Sequence, residues 1–318
     1  MKTSIIIATA LSAILFSSCG GGSSDVEPPN NTKPDTLTAG WTRQNLGTSF
    51  QFGDVFFVGQ TGYACASQAI FKSIDGGATW LPFRFSNNYI NVGMGSATNM
   101  SVAGHIKIIS TQNGGTSFDS TTVAASVSDV FYGSATTAYA VSKDVWKTTN
   151  SGTTWTNIYS TPSAGIYSTL HFINDQAGWV INGSGLIKTT NGGTNWQPVT
   201  LPAGFDFSYV YSIYFVDANN GFVWDKKTLY KTTNGGTNWT AVYNSPFVSE
   251  QLYHDVHFVD VNTGYITDKT WILKTTDGGA TWNKVVAVPN NSVIELHFTD
   301  ATHGWACGMG GMILRYAP

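Results

Sequence analysis

Charge is scarce in this chain. Of 318 residues, 16 are Lys or Arg and 19 are Asp or Glu, 11% in all and less than half the usual share. The net charge of -3 comes without any basic run, so the electrostatic footprint of a nucleic-acid partner is missing. Arginine is reduced to Arg43, Arg84 and Arg315, and cysteine to Cys19, Cys65 and Cys307. No apolar run reaches the roughly 20 residues of a membrane-spanning helix, and no long stretch shows a 3.6-residue period. The polar surface must therefore be built from Thr, Ser, Asn and the 34 Gly, which suits an exported, β-rich protein.

The first residues supply a reason for export. Lys2 precedes the apolar stretch Ile5 to Phe16, which has the length of a signal-peptide core. Phe16-Ser17-Ser18-Cys19 resembles a bacterial lipobox, in which Cys19 becomes the lipidated first residue, although Phe16 stands where Leu is usual. Ordinary secretion with cleavage nearby is the alternative. The Gly, Ser, Pro and Asn that follow read as a flexible tether. The expected layout is a lipoprotein signal peptide at 1–18, a tether at 19–39 and a folded domain at 40–318. The membrane is then met through the lipid anchor only, at the cell envelope.

Self-similarity sets the fold. Ser73-Ile74-Asp75-Gly76-Gly77-Ala78-Thr79-Trp80 recurs in the segments that end at Trp155, Trp196, Trp239 and Trp282, and once with Phe118 in place of Trp. Successive endpoints lie 38, 37, 41, 43 and 43 residues apart, the period of one four-stranded propeller blade. Each repeat opens with an apolar strand, then a Gly-aromatic pair, as in Leu170-His171-Phe172 and Gly178-Trp179. Asp-Gly or Asn-Gly tolerates positive φ, so the box is expected as a turn between the third and fourth strands. The last repeat stops at Tyr316 without a box, and Trp41 lies 39 residues before Trp80. The expectation is all-β: a seven-bladed β-propeller with an N-terminal strand completing the last blade, closed so that no sheet edge faces its neighbour unpaired.

The box Ser/Thr-x-Asp/Asn-Gly-Gly-x-Thr-Trp is similar to the Asp-box, or bacterial neuraminidase repeat. With its Phe-x-Asp, Gly-Trp and Lys-Thr-Thr frame, residues 40 to 318 resemble the photosystem II stability and assembly factor family of seven-bladed propellers. That resemblance implies a non-catalytic platform that holds a membrane-protein subunit on an Arg-rich surface, and here only three Arg exist. The box also occurs on sialidases, other glycosidases and binding propellers, so fold and function separate.

Residues that recur in every blade read first as scaffold. The box Trp column reads as wedges between blades, and Asp75, Asn113, Asn150, Asn191, Asn234 and Asp277 as caps of their own turns. Lys72, Lys147, Lys188, Lys231, Lys274 and Arg315 read either as a positive ring or, preferably, as stems along the sheet with ammoniums in water. His171, His257 and His297 share a first-strand position with Phe56, Phe131 and Tyr214: a packing position, with a metal site as the alternative. Cys65 and Cys307 fall at matching places of adjacent blades, where a disulfide is tempting but rotational symmetry points both side chains the same way.

Catalysis finds little support. A sialidase needs three clustered Arg plus Tyr, Glu and Asp, whereas Arg43 and Arg315 occupy scaffold columns and the Glu outside the tether are Glu250 and Glu295. Glu250, Glu295 or Asp206 could form a glycosidase pair, but no spacing selects them, and no Gly-x-Ser-x-Gly elbow exists. No cofactor or metal is expected. Function should lie where blades differ, in the loops of one face. Those loops carry Phe83, Arg84, Phe85, Tyr89, Tyr167, Phe205, Phe207, Tyr209, Tyr211, Phe247, Tyr253 and His254, with Trp224 and Trp271 in nearby hairpins. Solvent-facing aromatics suit a protein segment or the faces of sugars. The expectation is an envelope scaffold for a protein partner, with a glycan-binding or glycosidase-like propeller as the alternative.

Overall fold

The computed structural model describes residues 35–318 except 67, 86–88, 124, 161–168, 183–184, 208–211 and 248–253, and leaves the side chains of Asn182 and Phe85 undescribed. The signal peptide, Cys19 and nearly all of the expected tether, together with Tyr167, Tyr209, Tyr211, Glu250 and Tyr253, lie outside the described residues. Seven antiparallel sheets make seven blades. Their innermost strands are Phe52–Val58, Asn91–Met94, Asp129–Tyr132, Thr169–Phe172, Ser212–Phe215, Val256–Phe258 and Val293–Asp300. The described residues contain no helix long and apolar enough to cross a membrane.

Ring closure follows the expected route. Trp41–Gln44 pairs with Ile313–Tyr316 as the outermost strand of blade seven, Trp41 opposite Tyr316. A further strand was not expected: Thr36–Leu37, inside the stretch assigned to the tether, pairs with Asn283–Ala287 as a fifth strand of blade six. Leu37 packs on the core between blades six and seven, and Asp35 bonds Arg43. This strap joins the edges of two neighbouring blades just before the chain turns at Gly40, whose φ of 90° suits glycine.

The box forms its turn between strands three and four in each of the first six blades. In blade one, Asp75 Oδ1 accepts the Thr79 amide at 2.9 Å and Ser73 Oγ accepts the Gly77 amide at 2.8 Å. Asn191 and Thr189 do the same for Asn195 and Gly193, at 2.9 Å each. These bonds hold the Asp75 carboxyl near about 2, mainly through Thr79.

Blades adhere through a repeated stack of rings. The second-strand aromatic of one blade lies flat on the first-strand Phe of the next: Trp179 on Phe215 at 3.6 Å and 3°, Tyr139 on Phe172 at 3.6 Å and 5°, Trp305 on Phe57 at 3.7 Å and 8°. The box Trp then meets that Phe edge-on, as Trp239 meets Phe215 at 82° and Trp41 meets Phe298 at 84°. The glycine before five of the second-strand aromatics, all but Tyr139, makes room: a Cβ at Gly178 would sit 2.2 Å from the Phe172 ring. This explains the Gly-aromatic pair as a packing requirement. Blade two breaks the pattern. Ser101 takes the aromatic's place, and its hydroxyl lies 2.7 Å from both Ser110 Oγ and the Tyr132 hydroxyl.

The lysine column corrects the expectation of ammoniums in water. Four of the amines cross to the next blade and donate to a carbonyl of that blade's box: Lys72 to Gly114 at 3.1 Å, Lys147 to Gly192 at 2.8 Å, Lys188 to Gly235 at 3.5 Å and Lys231 to Gly278 at 2.6 Å, while Lys274, with no box beyond it, lies over the Tyr265 ring. Lys147 and Lys231 also lie over the rings of Tyr139 and Phe222. The column staples blades rather than presenting a positive ring.

Candidate functional site

Two regions stand apart from the repeated scaffold: the axial channel, and the face that holds the connections between blades. In an antiparallel blade ordered from the axis outward, the boxes and first-to-second turns fall on one face. The between-blade connections and the second-to-third hairpins fall on the other. The loop face is therefore continuous with the channel mouth.

The channel is a cavity of about 340 Å³ lined by the innermost strands of all seven blades. Two columns line it. One is the aromatic and His column: Phe56 and His297 lie 4.1 Å apart, His171 and Tyr214 4.4 Å, Tyr214 and His257 5.0 Å, His257 and His297 5.5 Å. Their polar tips bind the neighbouring strand. His297 Nε2 lies 3.0 Å from the Phe57 carbonyl and the Tyr214 hydroxyl donates to the Phe258 carbonyl at 2.8 Å. His171 and His257 make the equivalent bonds to Phe215 and Phe298. Burial pushes His171 and His297 down to about 4 and also holds His257 well below the usual imidazole range, so the imidazoles are neutral. This is the packing position, with each imidazole nitrogen committed to a carbonyl. Among the described residues no group of three His, Cys, Asp or Glu is placed to hold a metal.

The second column lies two residues earlier on each strand, toward the loop face: Asp54, Asn91, Asp129, Thr169, Ser212, Asp255 and Glu295. Sequence reasoning missed it, apart from Glu295. The signal was present as a polar residue two before the aromatic or His in six blades and before Gly93 in blade two, but the residue type varies among Asp, Asn, Thr, Ser and Glu. Each side chain reaches sideways. Asp54 Oδ2 accepts the Val92 amide at 2.7 Å, Asn91 the Val130 amide at 2.9 Å, Asp129 the Leu170 amide at 3.0 Å and Asp255 the Leu296 amide at 3.0 Å. Burial, reinforced by the mutual repulsion of the four carboxyls, lifts Asp54 to about 8 and Asp129 to about 6, and raises Asp255 and Glu295. Their first task is to join adjacent innermost strands.

The loop aromatics divide by burial. Trp224 is fully enclosed, stacked on His254 at 4.3 Å and 10°. His254 is buried with Nδ1 3.3 Å from the Thr267 carbonyl and 3.6 Å from Asp268 Oδ1. Burial lowers His254 to about 4 and raises Asp268, so this contact is not an ion pair. Tyr89 and Phe205 are core residues, Phe83 meets Tyr63 edge-on at 5.1 Å, and Arg84 lies over the Phe118 ring at 4.4 Å. Rings that anchor their own loops in this way offer little to a partner, which removes Phe83, Tyr89, Phe205, Trp224 and His254 from a solvent-facing surface. Hydrophobicity along a loop does not reveal which side of the ring meets the disc.

Three of the expected aromatics keep solvent-facing surface. Phe207 is 39% exposed and sits edge-on to Phe205 at 5.0 Å. Phe247 and Trp271 are half-buried with ring centres 4.8 Å apart. Lys269 Nζ lies over Phe247 and Lys284 Nζ over Trp271. Ser245 fixes the neighbourhood, its amide donating to the Lys227 carbonyl at 2.9 Å and its hydroxyl to Asp268 at 2.8 Å. Cys65 and Cys307 are buried free thiols, not a disulfide.

By sequence, the chain matches no family model and no curated relative. By structure it is an all-β, seven-bladed propeller with well-matched neighbours. A structure of Ycf48 bound to D1 peptide shares 18% identity over 89% of this chain and 100% of that one, with a TM-score of 0.72. Ycf48 from Cyanidioschyzon merolae shares 19% over 88% and 99%, with a TM-score of 0.70. A glycoside hydrolase family 74 xyloglucanase from Xanthomonas campestris shares 12% over 88% of this chain but 53% of that one, with a TM-score of 0.67. At such identities the likeness establishes the fold, and the photosystem II assembly factor Ycf48 is among its structural neighbours.

Proposed function

We propose that this protein is a non-catalytic binding platform for a protein segment, held at the cell envelope by a lipid on Cys19, and that it works from the loop face. The observation that carries this is that three loop-face aromatics keep solvent-facing surface: Phe207 in the connection after blade four, and the half-buried pair Phe247 and Trp271, flanked by Lys269 and Lys284. Aromatic rings with polar neighbours are the usual anchors of peptide recognition. The Ycf48 neighbour bound to a D1 peptide supports a propeller of this shape that holds protein.

The family 74 hydrolase neighbour and the channel carboxyls favour a second reading, a glycan-binding or glycosidase-like propeller. Against it, Asp54, Asp129 and Asp255 are each engaged by a backbone amide of the next blade, which is a structural commitment. Cross-linking in intact cells with affinity capture tests the choice, comparing wild type with Phe207→Ala/Phe247→Ala/Trp271→Ala. One envelope protein recovered with wild type and lost with the variant supports the platform. No protein above background, with binding to a polysaccharide array, overturns it in favour of glycans.

A further inference from the structure

The strap at Thr36–Leu37 fixes where the preceding chain meets the disc. Thr36 lies opposite Ala287, the last residue of a strand that runs toward the loop face, and Ala287 in turn pairs with Trp271. Thr36, near the start of the described chain, therefore sits at the loop-face end of blade six, on the strand beside Trp271.

The same rim collects three cations, Lys227 and Lys284 exposed and Lys269 half-buried. Lys227 lies on the hairpin of blade five and Lys269 on that of blade six, while Lys284 reaches from the outer strand over Trp271. Ser245 ties the two hairpins together. Among the described residues, the carboxyls of the two hairpins, Asp225 and Asp268, are both buried, Asp225 accepting the amides of Lys227 and Thr228. The opposite face is different. There Asp217, Asp260 and Asp300 stand in the first-to-second turns and Asp75 and Asp277 in the boxes, all held ionised by their turn hydrogen bonds. On that face Lys72, Lys147, Lys188 and Lys231 are half-buried between blades with amines on Gly carbonyls.

We propose that the rim of blades five and six docks on an anionic phospholipid surface, so that the ring lies with its loop face toward the membrane. This deepens the platform reading and rests on it for purpose, since a loop face turned to the bilayer meets segments of membrane proteins. Lys227, Lys269 and Lys284 supply the attraction, with Phe247 and Trp271 at headgroup level, where aromatic rings favour the interface. The acidic turn face is repelled by the same surface, which sets the orientation. The strap puts the first described strand of the chain on this same rim.

The test uses the chain from Gly20 onward, which contains every strand of the ring and carries no lipid. Co-sedimentation is measured with vesicles of phosphatidylcholine alone and with 30% phosphatidylglycerol, at low and high salt. Binding is expected with the anionic vesicles only, weakening steeply with salt. Each lysine near such a surface is worth about a fivefold change in affinity. Lys227→Glu/Lys269→Glu/Lys284→Glu should lose on the order of a hundredfold, and Lys107→Glu on the far side of the loop face far less. No binding by wild type, or equal binding by the triple variant with an unchanged unfolding curve, overturns the docking. If docking fails while the cross-linked partner is still lost in the aromatic variant, the platform reading stands and the rim belongs to the protein partner instead.

Discussion

Asp54 offers the sharpest test of the energetics of the channel. Its carboxyl is 4% exposed, accepts the Val92 amide and is raised to about 8, first by burial and then by Asp129 and Asp255. An unfolded Asp titrates near 3.9. Between about pH 4 and pH 8 the folded protein therefore holds a proton that the unfolded chain has released, so stability falls as pH rises across that window and levels off above it. The limiting slope is about 1.4 kcal/mol per pH unit. Neutral His171, His257 and His297 act in the other direction and lower, losing stability as pH falls from about 6.5 toward 4, so above about pH 6.5 the carboxyls dominate, joined toward about pH 8.5 by the Cys65 and Cys307 thiols that wild type and variant share. Asp54→Asn keeps an oxygen for the Val92 amide but has no proton to lose. Urea unfolding followed by Trp fluorescence should show the wild type losing on the order of 2 kcal/mol between pH 6.5 and 8, with the variant flatter and the more stable of the two at pH 9. Parallel curves for both proteins would refute the claim that Asp54 is protonated in the folded ring.

Two further outcomes test the scaffold. Lys147→Met keeps the aliphatic stem over Tyr139 but removes the bond to Gly192; the loss should be about 1 kcal/mol by urea midpoint, since the group is half-exposed, with no loss of partner capture. Cys65 and Cys307, buried thiols pushed upward chiefly by desolvation, should react with a disulfide reagent at the rate of global unfolding and not in the folded state.

What was legible in the sequence was everything that a blade decides within its own 40 or so residues. The strand order, the place of the box turn and the split seventh blade follow from local spacing, because hairpins join neighbours in sequence. The bond from Asp75 to Thr79 spans only 4 residues, so the box could be read as a self-capped turn. The tertiary structure alone decided which surface each recurring side chain meets. Lys147 finds its acceptor 45 residues away and His297 finds Phe57 240 residues away, and only closure of the ring brings those groups together. The polar column of the channel stayed hidden because its members serve one end, joining adjacent innermost strands, by different means: Asp or Asn accepts the next strand's amide, and Thr169 or Ser212 donates its hydroxyl to a neighbouring blade's Asp. Burial likewise separated Trp224 and His254 from Trp271, since a loop's sequence states that a ring is apolar and only the disc beneath it states whether that ring is covered.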